Sequence, residues 1–116
     1  MNCLPALSCL LLRLSSSPIS RRGPSGIGGL STATLGWGDP EKGGVKTIPV
    51  DQKCELASLI GNIAIQRGKV YVHAHAVVSF SDGSTKGGHM VDAHANPFVE
   101  IFVVTTDSPA AATSSR

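Results

Sequence analysis

The chain is poor in aromatic residues, at 4% of 116 positions, and poor in charge, at 16%. With one Trp, one Tyr and three Phe, its core must rest on Val, Ile, Leu and Ala. Cysteine is also scarce. Cys3, Cys9 and Cys54 are odd in number and form no CxxC pair, which argues against a disulfide framework or a cysteine-rich zinc module. Cys54, in KCELASLI, reads as a small core residue rather than a nucleophile. A reducing compartment is the simplest expectation, hence the cytoplasm.

Acidic residues are missing altogether before Asp39, where Arg13, Arg21 and Arg22 are the only charges. The other 7 of the 10 basic residues stand against all 8 acidic ones, so residues 39–116 carry about −1. A nucleic-acid module concentrates basic charge, because phosphate neutralisation supplies most of its affinity. Direct DNA contact is therefore weakly supported. Long apolar runs are absent too. The stretch from Leu4 to Leu12 falls far below the ~20 residues of a membrane-spanning helix, and no membrane partner is expected.

What is present divides at about residue 26. MNCLPALSCLLLRLSSSPISRRGPSG is acid-free and Ser-rich, and its positive charge follows the apolar run, unlike a secretory signal. It resembles an organellar transit peptide, which would change the compartment; the alternative is a poorly ordered start. RRGPSG lacks the Gly-Arg-Pro centre of an AT-hook. From Gly26 the pattern is strand, turn, strand. GIGGLSTATLGWG leads to turn signals at Asp39-Pro40 and Gly43-Gly44, and VKTIPV reads as a short strand that lies at an edge or has Pro49 at its end, because Pro49 cannot donate to a ladder. ELASLIGNIAI reads as a strand bent at Gly61, with a buried helix as the lesser alternative, since Gly61-Asn62 disfavours a helix interior. GGHMVDAH and PFVEIFVVTT read as two further strands, and DSPAAATSSR as a small-residue tail. GIGG completes no phosphate-binding pattern.

Between these lies YVHAHAVVSFSDGSTKGGHM. Side chains at i and i+2 share a face of a strand, so His73 and His75 stand together, ~6–7 Å apart at Cα. A third histidine from the next strand would complete a three-histidine face with a fourth position open, the pattern of catalytic zinc sites. Register decides whether His89 supplies it. A two-residue turn on Asp82-Gly83 makes paired positions sum to 165 and turns His89 away. A three-residue loop makes the sum 164 and sets His89 opposite His75; a bulge at Gly87-Gly88 would correct the parity equally well. One of the two is expected. His94 falls on the other face of a continuous strand, and it joins only if the chain bends before Asn96-Pro97. Asp92, Glu100 and His94 are the candidates to orient a ligand imidazole through its second nitrogen. The competing possibility is an unliganded HxH pair on a half-exposed strand.

Several of these segments together resemble the plants-and-prokaryotes-conserved (PPC) domain. ELASLIGNIA, GKVYVHAH, DGSTKGGH and VEIF occur in that family's order and spacing, and GIGGLSTATLG is similar to its earlier glycine-rich stretch. The resemblance implies an α/β (α+β) fold with a mainly antiparallel sheet and few helices, assembled as a homotrimer. It further implies a metal ion, zinc foremost, on His73, His75 and His89, as in the histidine-bearing prokaryotic branch. Plant members lack these histidines and carry AT-hooks that bind DNA. The family also opens with a strand and a helix that residues 1–25 do not match, so an N-terminally incomplete domain is expected over 26–110, followed by a frayed tail at 111–116.

Three functions follow as expectations. The first is an oligomeric, metal-bearing module associated with DNA or regulation. The second is a zinc hydrolase using a metal-activated water, with Glu100 or Asp92 as base. The third is a structural metal that staples a hairpin. The sequence carries no substrate-pocket signature, which ranks the enzyme below the module.

Overall fold

A computed structural model describes residues 10–15, 23–39 and 41–104. The expectations for a transit peptide over most of the leader, and for a frayed tail at 111–116, lie outside the described residues. Six strands run in chain order: β1 (Leu10–Ser15), β2 (Gly23–Gly38), β3 (Val45–Val50), β4 (Cys54–Gln66), β5 (Lys69–Ser79) and β6 (Thr85–Val104). Among the described residues there is no helix. No helix there is long and apolar enough to cross a membrane. All strand pairings are antiparallel except β1 with β6, which is parallel.

The sheet order is β1-β6-β5-β4-β2-β3, and β6 also pairs with β2. That additional pairing closes a ring of β2, β4, β5 and β6, with β3 as the edge strand beyond. Ring closure gives the strands an inside and an outside, and alternation sorts the residues between them. On β5, Ala74, Ala76 and Val78 point into the core while His73, His75 and Val77 point out. Leu30, Leu35, Val50 and Val78 are the largest fully buried side chains, each contributing about 1.5–3 kcal/mol by its removal from water. Cys54 is buried beside them, and burial pushes its thiol up, so it behaves as a core residue and not as a reactive thiolate.

The two hairpins that bracket β5 have different turns. Arg67 and Gly68 carry φ of 52° and 75° in a two-residue turn that pairs Gln66 with Lys69. The second turn spans Ser81–Gly83. Phe80 N–H donates to Ser84 O and Gly83 N–H donates to Phe80 O, both at 2.9 Å. Gly83 occupies the left-handed region at φ 83°, where a side chain would be strained. Asp82 accepts from the Ser84 backbone N–H at 2.9 Å and from the Ser84 hydroxyl at 2.6 Å. Those bonds, the hydroxyl foremost, hold the Asp82 carboxyl below its ordinary value.

Three details depart from the sequence reading. Residues 85–104 form one strand, because irregularities in the β2–β6 ladder absorb Asn96-Pro97 without ending it. The irregularity in β4 lies between Leu56 and Ser58, not at Gly61. Gly61 is required for a different reason: a Cβ there would collide with the His73 carbonyl oxygen on β5. The strand β2 begins at Gly23, three residues before the expected boundary.

Candidate metal centre

His73 and His75 project from the outer face of β5, two residues apart, as strand alternation requires. The three-residue loop brings β6 back in a register that pairs Ser79 with Thr85 and His75 with His89. Paired positions therefore sum to 164, the first of the two expected devices. Gly83 supplies the loop's left-handed residue, whereas Gly87 and Gly88 stay in the regular ladder opposite Val77 and Ala76. The glycine pair is thus not the bulge the alternative required.

The result is a cluster in which one ligand atom from each of His73, His75 and His89 lies within 4.8 Å of the others. Ring centroids are 4.2 Å apart for His75 and His89, 5.2 Å for His73 and His75, and 5.3 Å for His73 and His89. His73 Nε2 and His89 Nδ1 face each other at 3.3 Å. That separation tests the fit to a metal. Two nitrogens at ~2.0–2.1 Å from zinc and at the tetrahedral angle stand roughly 3.3–3.4 Å apart. The donor set also fits: three imidazoles suit zinc and its first-row neighbours.

His73 and His75 are exposed and His89 is half-buried. Burial, followed by the charges of His75 and His73, lowers the pKa of His89 from its ordinary value. A protonated imidazole cannot ligate, so this keeps the third ligand available at neutral pH.

The other candidates are not gathered here. His94 Nδ1 lies 3.2 Å from Thr32 Oγ1 and 3.9 Å from Asp92 Oδ2, and the Ser31 hydroxyl donates to the His94 carbonyl at 3.4 Å. Thr32, His94 and Asp92 resemble a hydroxyl–imidazole–carboxylate relay, but both partners meet the same ring nitrogen, so no proton can pass across the ring. Glu100 pairs with Ile27 on β2, eleven residues beyond His89 and roughly 35 Å away along an extended strand. Among the described residues no carboxylate joins the three-histidine group. The sequence reading overlooked Gly36. It pairs with His89 from β2, on the opposite side from His75, and Gly88 approaches its carbonyl oxygen closely. Its signal was the final glycine of GIGGLSTATLG.

The family model of the Plants and Prokaryotes Conserved (PCC) domain matches residues 19–107. No curated protein matches the chain. Among solved structures, a plant- and prokaryote-conserved protein of Pyrococcus horikoshii is similar at 38% identity and TM-score 0.61, over 66% of this chain and 52% of its own. A putative DNA-binding protein of Bacteroides thetaiotaomicron is similar at 31% identity and TM-score 0.64, over 67% and 55%. A metal-containing protein of Archaeoglobus fulgidus is similar at 30% identity and TM-score 0.59, over 66% and 52%. The matched part of the chain thus spans about half the length of these structures.

Proposed function

The chain belongs to the Plants and Prokaryotes Conserved domain family, and from that premise we propose that it is a self-assembling module whose three-histidine centre holds a divalent metal ion, zinc foremost. The observation that carries this reading is the 3.3 Å separation of His73 Nε2 and His89 Nδ1, with His75 in reach of both. The metal-containing relative from Archaeoglobus fulgidus supports it. A bound ion would supply a positive charge and a link between two strands. His73, His75 and His89 supply neutral donors, and the half-buried position of His89 shields that link from competing protons.

Assembly as a homotrimer is the second part of the proposal. Large apolar side chains stand on the outer face: Ile27 is 56% exposed, Phe98 52% and Phe102 47%. Side chains of this kind gathered on one face favour burial against another subunit. The similarity to the putative DNA-binding protein supports a DNA-associated role. The negative balance of residues 39–116 favours association through a partner over direct phosphate contact. The hydrolase reading draws on the open fourth position, but among the described residues neither Asp92 nor Glu100 joins the three-histidine group.

Metal analysis of the purified protein beside a His73→Ala/His75→Ala double variant tests the central claim. About one ion per chain is expected in the parent and none in the variant. Equal metal content in both would sink the site.

A further inference from the structure

The three histidines sit at a fork. The β5–β6 ladder runs from Ser79 and Thr85 to His75 and His89 and stops there. From His89 onward β6 pairs with β2, while β5 from Ala74 back to Lys69 pairs only with β4. His89 and His75 therefore form the last rung, and His73 lies beyond it, on the strand that has parted from β6. The β4–β5 tip past the fork carries apolar residues in the open: Ile63 is 41% exposed, Ile65 46% and Val70 75%. Among the described residues nothing in the ladder holds this tip to β6. Among the described residues, the side-chain hydrogen bond that reaches back is that between His73 Nε2 and His89 Nδ1.

Resting on the metal reading above, we propose that the centre is a clamp that closes this fork through unlike nitrogens, Nε2 of His73 and Nδ1 of His89. The unlike pair follows from the positions of the two residues. His89 is the shorter reach. It lies in the last rung, half-buried between β2 and β5, so the nitrogen nearer its own backbone faces the centre. His73 has parted from β6 and must cover the gap, so it presents the nitrogen at the far end of its ring. His75, with its ring centroid 4.2 Å from that of His89, completes the set at the rung. Metal occupancy then governs the order of residues 69–73 and leaves the ring core, which begins at Ala74, untouched. Its buried side chains, Leu35 and Val78 among them, are held by packing.

Long-range nitrogen–proton correlation spectra of the histidine-labelled, zinc-loaded protein read the nitrogens directly. His73 is expected to show a metal-bound Nε2 and a protonated Nδ1, and His89 the reverse. Amide exchange supplies a second readout. Removal of zinc is expected to speed exchange at Tyr71–His73 about ten-fold while Leu35 and Val78 stay protected. Substitution gives a third, because an asparagine amide reaches as far as Nδ1 and a glutamine amide as far as Nε2. His89→Asn should bind cobalt more tightly than His89→Gln, and His73→Gln more tightly than His73→Asn. Zinc held through Nε2 of His89, or exchange that rises equally in the core, overturns the clamp and leaves the metal reading standing. A chain that retains no zinc overturns both.

Discussion

The turns on either side of β5 differ in length by one residue, and that difference decides what its histidines meet. Arg67-Gly68 is a two-residue turn that pairs Gln66 with Lys69, so positions on β4 and β5 sum to an odd number. His73 and His75 consequently face Asn62 and Ile60 across that ladder. Ser81–Gly83 is a three-residue loop, positions on β5 and β6 sum to an even number, and His75 meets His89. One strand thus presents the same side chains to an inert neighbour on one edge and to a ligand on the other. Parity in a sheet works this way because the side-chain period is two, so one added residue moves a whole strand's side chains to the opposite face.

Breaking the second turn should have the largest effect. Deleting Ser81 leaves a two-residue Asp-Gly turn, which shifts the register by one and turns His89 inward. Metal content should fall from about one ion per chain to none, measured by metal analysis of the folded fraction. A variant that keeps its full metal content would show that a bulge elsewhere restores the parity. A smaller contrast separates the left-handed residues of the two turns. Gly83→Ala places a Cβ at φ 83° and should destabilise by about 1–2 kcal/mol, while Arg67→Gly relieves a side chain at φ 52° and should stabilise by up to about 1 kcal/mol in denaturant titrations. Metal content should be unchanged in both.

Acidification should have the mildest effect. The folded-state pKa of His89 is depressed, so the unfolded chain takes up that proton first as pH falls. The metal-free protein should hold its full stability above the ordinary histidine pKa and lose it gradually as pH falls from there through the depressed value. A His89→Gln variant should lack that slope, and a parent protein that is more stable at pH 5 than at pH 7 would contradict the assignment.

Much of this was legible because alternation and turn chemistry are local. The HxH pair on β5, the turn at Asp82-Gly83, an edge or end position for Pro49 in β3 and the two possible routes to His89 all follow from period-two patterning and from the backbone limits of glycine and proline. The misreadings share one cause. Asn96-Pro97 looks like a strand end, yet β6 passes through it, because neighbouring β2, distant in the chain, supplies the compensating irregularities. Gly61 looks like a bend, but its lack of a side chain serves the close approach of β5.

The amino-acid sequence by itself determined which side chains share a face, since a strand's period is a property of each residue's backbone. It also narrowed the third histidine to two routes. Only the tertiary structure decided between them, and only it revealed that β6 closes the ring on β2 and leaves β5 at the histidines. That parting arises from pairing between strands distant in the chain. Each strand has two edges, and which neighbour occupies each is settled by the packed ring as a whole.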